Sequence, residues 1–571
     1  MSVIGEIRCV RRARLPAGRQ GGRTLPVGLR IGRPQLDFSK TACAKSNGIY
    51  SCAATMKLKR QRLVSQNTLS RMIQTAEEAW KRKDFQQNIE ILERASRLDP
   101  ANSDILMQLG RVQGLLCDYP AAERCFEKAI RVSPNPAETL ALAGQQSRDF
   151  RSHEMAERYF QRAVEQKDAA PETFIHLAEL YERLRRLEDA AALIDRALHL
   201  DRACAPALLA RARLARLGGR LEEAESLLRS FLPNAGRTLR IRGWYELGTL
   251  LDRQGRYDEA MSAFLEAKTL LLPEAGQYTA GLRSLRTRLK EMTTNITADM
   301  LQRWVDLSHA LQPSRRLALL CGHPRSGTTL LEQVLDSHPD IVSAEETEIF
   351  LDYAVVPLTR GLPESTLMLK VLESAQTPAL QASRERYFRS MELALGNPVA
   401  GRLLIDKNPS LTFLIPAFVR IFPETKFLIA LRDPRDVCLS CFVQPFVPLG
   451  QISSAYLSLE TTVEEYASLM SIWRTLAPLM PGPCLEVRYE DLVDDLESVS
   501  RRVLGFLGVP WDTRVLGFDE HARQKLVRSP TYADVAKPVF KTAVGRWRNY
   551  QKYLAPQLEK LMPFVKAFGY E

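Results

Sequence analysis

The stretch LALLCGHPRSGTTLLEQVLDSHPDIVSAEET, residues 317–347, decides how this chain reads. Leu317 to Cys321 is an apolar run of the length of a buried strand. Gly322 to Gly327 then make a tight loop, and from Thr328 on Leu330, Leu331, Val334 and Leu335 recur at helical spacing. Strand, glycine loop and helix together turn backbone N–H groups and a helix N-terminus towards an anion. Gly322-x4-Gly327 has the spacing of the phosphate-binding P-loop, and Thr328 and Thr329 add hydroxyl donors. A nucleoside triphosphatase carries lysine after the second glycine. This chain has Thr328 there, so cationic help inside the loop falls to Arg325.

The remaining composition bounds the answer. At 571 residues, two or more domains are expected. The net charge of +12 would suit a nucleic-acid binder, but residues 1–55 hold ten Lys and Arg against Glu6 and Asp37. The other residues carry only about +4 and show no basic stripe with interleaved aromatics, which argues against nucleic acid. No apolar run is long enough to span a membrane. The ten cysteines are scattered. Cys438 and Cys441 form a lone C-x-x-C without a second pair or nearby His, so they read as buried thiols and no metal is expected. Cytoplasmic location is the corresponding expectation.

Residues 1–55, rich in Arg, Gly and Pro, lack periodicity and the apolar core of a secretory signal; they read as a disordered basic extension. From 67 to 273 the texture is helical and repetitive. Leu92, Phe126, Phe160, Ile194 and Leu228 follow one another at 34 residues, and Phe264 comes 36 later. AERCFEKAIRVSP at 122–134 recurs as AERYFQRAVEQKD at 156–168, with Ala129, Ala163 and Ala197 at the matching small position. A 34-residue helix–turn–helix period is that of tetratricopeptide repeats, so an all-α solenoid of about six repeats is expected. Such an array offers a groove for a protein or peptide, or else serves as a spacer or dimerisation arm. Residues 274–313 read as a helical linker, and residues 314–571 as a second domain.

That second domain repeats one arrangement. Leu403–Ile405 runs into Asp406-Lys407-Asn408-Pro409, Lys426–Leu431 into Arg432-Asp433-Pro434-Arg435-Asp436, and Cys484–Val487 into Arg488-Tyr489-Glu490-Asp491. Each polar cluster follows a strand. In an open parallel α/β sheet such clusters converge on one crevice at the carboxyl ends of the strands.

PRSGTTLLEQVLDSHP at 324–339 resembles the 5′-phosphosulfate loop of the sulfotransferase superfamily, and RDPRDVCLS at 432–440 resembles its 3′-phosphate motif. The resemblance covers about 315–550 and is closest to tyrosylprotein sulfotransferases and bacterial proteins that join tetratricopeptide repeats to a sulfotransferase domain. It implies a P-loop-like α/β domain with a central parallel sheet. The implied co-substrate is 3′-phosphoadenylyl sulfate, with no metal. It implies that Arg325, Ser326, Gly327, Thr328 and Thr329 bind the 5′-phosphosulfate. Lys407 is implied as a second cation at the leaving group, and Arg432 and Ser440 as a clamp on the 3′-phosphate. Tyr489, Thr531, Lys537 and Arg546 are implied as further donor contacts, with Thr531 preferred to Ser529. Gln444 stands where tyrosylprotein members have Arg, so the resemblance implies no such contact here.

Transfer to a hydroxyl also needs a base. His323, His338, Glu345 and Glu346 are the candidates. AEET here against GEET in the tyrosylprotein branch selects Glu346, and His338-Pro339 reads as a turn. The resulting expectation is an enzyme that moves a sulfuryl group to a protein, peptide, glycan or small-molecule hydroxyl. Two alternatives stand beside it: a repeat scaffold carrying a non-catalytic domain, and an atypical P-loop kinase using Asp406 or Asp433 for a metal. Oligomeric state stays open.

Overall fold

The structure, a computed structural model, describes residues 67–82, 84–312, 315–363, 365–396, 398–399, 401–446, 449–524, 539 and 541–570. The expected basic extension, Ser529, Thr531 and Lys537 lie outside the described residues. Two compact units are present. One holds the described residues up to Gln113 together with 122–133, and the other holds 114–121 and the described residues from Pro134 on.

Both units contain helix pairs of the expected period. Every anchor is buried: Leu92, Phe126, Phe160, Ile194, Leu228 and Phe264 all lie in the core, as do Ala129, Ala163 and Ala197. The turn inside each pair also repeats. Cys117, Arg151 and Arg185 are left-handed at φ 63°, 76° and 62°, and the next two turns use Gly219 and Gly255. A left-handed residue is how a helix commonly ends before the chain reverses. The helix Tyr257–Asn295 runs unbroken through Pro273, so the last repeat and the expected linker share one helix.

A second repeat-wide rule escapes inspection of the anchors alone. Where the anchor is phenylalanine, the opposing helix carries glycine: Gly110 faces Phe126, Gly144 faces Phe160 and Gly248 faces Phe264. Where the anchor is Ile194 or Leu228, the equivalent residue is Ala178 or Ala212, packed in the same cores. A Cβ on Gly144 would come within 2.6 Å of the Phe160 ring. Helix propensity favours alanine there by about 1 kcal/mol, whereas overpacking a tight core costs roughly 1–3 kcal/mol. Gly144→Ala is therefore expected to lower the melting temperature, and Phe160→Leu in the same chain to restore it. A single variant at least as stable as wild type would refute this packing rule.

The stretch 317–347 opens a five-stranded, all-parallel sheet of order β2-β3-β1-β4-β5. Its strands are β1 (Leu317–Gly322), β2 (Ile341–Glu345), β3 (Leu403–Lys407), β4 (Lys426–Leu431) and β5 (Cys484–Arg488). Both faces of the central strand β1 are covered, and it is apolar and buried throughout. Leu317, Leu319 and Cys321 enter one core, with Leu404, Phe427 and Ile429. Ala318 and Leu320 enter the other, with Ile405, Leu428, Leu330 and Leu331. β2 was not expected as a strand. It is short, lies at the sheet edge, and carries Ser343 at a buried position.

Candidate functional site

The loop after β1 is shaped by three left-handed residues. Gly322 has φ 142°, and a Cβ there would lie 2.3 Å from the Ala430 carbonyl oxygen of the neighbouring strand. Gly327 has φ 90°, and a Cβ would collide with Tyr489. Arg325 adopts φ 74°, which costs a non-glycine residue about 1–2 kcal/mol. Gly327 is the N-cap of the helix Thr328–Asp336 and supplies no side-chain acceptor. The first N–H groups of that helix are thus uncapped, beside the buried side chains of Ser326, Thr328 and Thr329. Free helix N–H groups beside hydroxyls are an arrangement that suits an anion, and the loop is an anion cradle in shape.

Beyond the loop, Arg325 Nε donates to Ser440 Oγ at 3.0 Å. Arg432 Nη1 donates to the Arg325 carbonyl at 3.1 Å, and the Arg432 guanidinium lies 4.9 Å from the Tyr489 ring centre. The buried Nε of Arg432 has no hydrogen-bond partner. Four expected contacts from three distant segments therefore meet. The phosphate-loop arginine and the hydroxyl of the other motif, expected as separate sites, are hydrogen-bonded to each other. A second anion with a place for a donor such as Arg432 Nε fits the residues present.

Lys407 closes β3 and is fully buried. Its Nζ lies 3.1 Å from Glu346, 3.2 Å from Glu332 and 3.5 Å from Glu345. Burial opposes its charge, but the three carboxylates raise its pKa, so it stays an ammonium. Strand alternation explains the arrangement. Lys407 points with Leu403 and Ile405 to the face covered by the loop helix, where Glu332 waits. Asp406 points to the opposite face and accepts a hydrogen bond from Tyr387 Oη at 3.0 Å. Its burial pushes its pKa up to about 7.

Glu346 follows the end of β2 in a left-handed conformation, φ 48°, with its N–H bonded to the Lys407 carbonyl at 2.7 Å. Non-glycine residues held this way gather at functional sites. Burial would raise its pKa, but the Lys407 ammonium overrides this and holds the carboxyl below its usual 4.5. Glu346 is thus ionised and open to a proton at neutral pH, with a basicity that the Lys407 ammonium lowers.

Residues 318–513 match a family model described as the sulfotransferase family. This stretch is a sulfotransferase domain. Two tetratricopeptide repeat models match 176–237 and 241–270. An uncharacterized protein of Aquifex aeolicus is 26% identical over 343 residues, 58% of this chain and 43% of that protein. Protein-tyrosine sulfotransferase A of Caenorhabditis elegans is 24% identical over 262 residues, 44% of this chain and 66% of that protein. The chain thus spans less than half of the first relative and about two thirds of the second. The sulfotransferase domain of the Synechococcus PCC 7002 olefin synthase superposes with a TM-score of 0.33 at 24% identity, over 46% of this chain and 96% of that one.

The sulfotransferase domain brings Arg325, Ser326, Gly327, Thr328, Thr329, Arg432, Ser440 and Tyr489 to the loop and its rim. Arg546 differs. Its guanidinium pairs with Asp252 at 2.9 Å, on the repeat helix Arg237–Arg253, because the turn before it is tied down by Asp436. Asp436 accepts from the Gly545 and Trp547 N–H groups at 2.7 Å. The other base candidates are engaged. His323 is fully buried, with Nδ1 on the Pro324 carbonyl and Nε2 on Glu465. Burial works against its charge, but Cys441 and Glu465 push its pKa to about 10. His338 makes the expected turn, accepting from Asp340 N–H and bonding the Pro510 carbonyl. Asp433 caps the following helix and pairs with Arg435 at 2.7 Å. Cys438 and Cys441 are buried thiols. Glu332 was missed: inside an apolar helix, nothing in the local sequence separates a buried partner of lysine from a solvated glutamate.

Proposed function

We propose that this chain transfers a sulfuryl group from 3′-phosphoadenylyl sulfate to an acceptor hydroxyl, with Glu346 as the general base. The observation that carries this reading is the strained, ion-paired Glu346 beside Lys407, at the same sheet end as an uncapped anion loop without the lysine of nucleoside triphosphatases. When bound, the donor supplies an electrophilic sulfur and a phosphate leaving group. Ser326, Gly327, Thr328 and Thr329 hold its 5′ side through N–H and hydroxyl donors, and Arg432 with Ser440 holds its 3′ side. Glu346 removes the acceptor proton as the new O–S bond forms. Arg325 offsets charge on the departing oxygen. Lys407 keeps Glu346 ionised and is the second cation of the site. The relatives named as protein-tyrosine sulfotransferases support a phenolic hydroxyl as acceptor, and the repeats suit holding the protein or peptide that bears it. The kinase alternative loses its metal ligands, since Asp406 turns to Tyr387 and Asp433 to Arg435.

The test is ligand-induced stabilisation. At a hundred times its dissociation constant, a ligand specific for the folded state adds about 2.7 kcal/mol. 3′-Phosphoadenosine 5′-phosphate is expected to raise the melting temperature in a dose-dependent way, and ATP with Mg²⁺ to fall well short of it. The reverse order would sink the reading. Transfer of labelled sulfate across panels of tyrosine peptides, glycans and phenols then names the acceptor.

A further inference from the structure

Glu346 is held from two sides: the Lys407 carbonyl of β3 takes its N–H, and a group outside the sheet holds its own carbonyl at the end of β2. The strand lies at the sheet edge and stops at Glu345, so the ladder gives the next peptide no partner on its open side. That partner comes from the repeats. Arg151 Nη1 donates to the Glu345 carbonyl at 3.1 Å and Nη2 to the Glu346 carbonyl at 2.7 Å. One guanidinium fork thus spans two consecutive peptides, a geometry that lysine does not reproduce.

Arg151 is itself left-handed, φ 76°, at the turn between the helices Pro136–Asp149 and His153–Val164. It occupies the turn position that recurs every 34 residues as Cys117, Arg185 and Gly219. The end of the first of these helices holds the turn: Arg151 N–H bonds the Arg148 carbonyl, and Ser152 N–H the Ser147 carbonyl. Two left-handed residues therefore face each other through one fork.

We propose that Arg151 is a positioning residue for Glu346, so that a tetratricopeptide repeat completes the catalytic site of the sulfotransferase domain. This rests on Glu346 acting as the base. The charged groups facing Glu346 are then Lys407 from β3 and Arg151 from the repeat, with Glu332 and Glu345 sharing Lys407.

The full-length chain and its Arg151→Ala and Arg151→Lys variants test this with three readouts. The first is stabilisation by 3′-phosphoadenosine 5′-phosphate, expected to be the same in all three. The second is kcat and donor KM on whichever panel member the wild type sulfates. Arg151→Ala is expected to lose roughly tenfold to a hundredfold in kcat at unchanged donor KM, with partial recovery on adding guanidinium ion. The third needs no turnover: carbodiimide labelling of Glu346 against pH, read by peptide mass spectrometry. Its midpoint is expected to rise in Arg151→Ala, where a cation is lost, and to stay near wild type in Arg151→Lys, which retains the charge but not the fork. Wild-type kcat and an unmoved midpoint in Arg151→Ala would overturn the proposal. So would loss of ligand stabilisation together with kcat, which marks general disruption. A wild type that neither transfers sulfate nor responds to 3′-phosphoadenosine 5′-phosphate would overturn the sulfotransferase reading beneath it, and this inference with it.

Discussion

Replacing Glu346 by Gln is expected to lower kcat by about two to four orders of magnitude, the usual contribution of a positioned base. Gln keeps the size and one hydrogen-bonding oxygen, so the Lys407 contact at 3.1 Å survives in weakened form. Lys407 retains Glu332 and Glu345, and the fold has no reason to fail. Stabilisation by 3′-phosphoadenosine 5′-phosphate is therefore expected to persist. The pH dependence adds a second check. Lys407 holds the Glu346 pKa below 4.5. The base is then ionised across the neutral range, and kcat falls only as pH drops below 4.5. The same shift stabilises the fold above the unfolded value of 4.5, and that contribution is lost as pH falls through the lower folded value. Near-wild-type turnover in Glu346→Gln, or an acid limb above pH 5 or so in the wild type, would remove Glu346 from the mechanism.

The second large effect is at Lys407. Lys407→Met keeps the volume but leaves Glu332, Glu345 and Glu346 facing one another, two of them fully or almost fully buried. Breaking a buried ion pair from one side costs about 3–5 kcal/mol, and sulfate transfer is expected to be lost as well. The pH dependence has a definite sign. Without the ammonium, buried carboxylates have raised pKa values in the folded state, so the stability deficit is largest at neutral pH and shrinks as pH falls. Lys407→Met with Glu332→Gln separates the two losses. Removing one carboxylate is expected to return part of the stability and none of the activity, as measured by denaturant midpoint and labelled-sulfate transfer. If Lys407→Met were as stable as wild type at pH 7, the cluster would not be the ion network described here.

The parts of this molecule legible in its sequence are those with local periodicity. Phe126 and Phe160 advertise the repeat because each must fill one core position per helix pair. Gly322 and Gly327 advertise the loop because only glycine meets both the backbone angles and the close approach of Ala430 and Tyr489. Lys407 and Arg432 stand in polar clusters that follow apolar runs, and the family resemblance supplied their roles. What the sequence hid depends on contacts between distant segments. Glu332 is one residue in an apolar helix, β2 is a short edge strand with a buried serine, and Arg151 meets Glu346 across 195 residues of chain. The pairing of Arg546 with Asp252 is of the same kind.

The strand order carries one more consequence. β3, β1 and β4 are flanked on both sides, whereas β2 and β5 each have a neighbour on one side only. Local opening of a protein begins where the fewest bonds must break. On the proposed reading, opening at β2, which the Arg151 fork opposes, would disarm proton removal while the loop after the doubly flanked β1 stayed in place. On that reading, donor binding and proton removal lean on different parts of the sheet, so loss of the second would not by itself release the first.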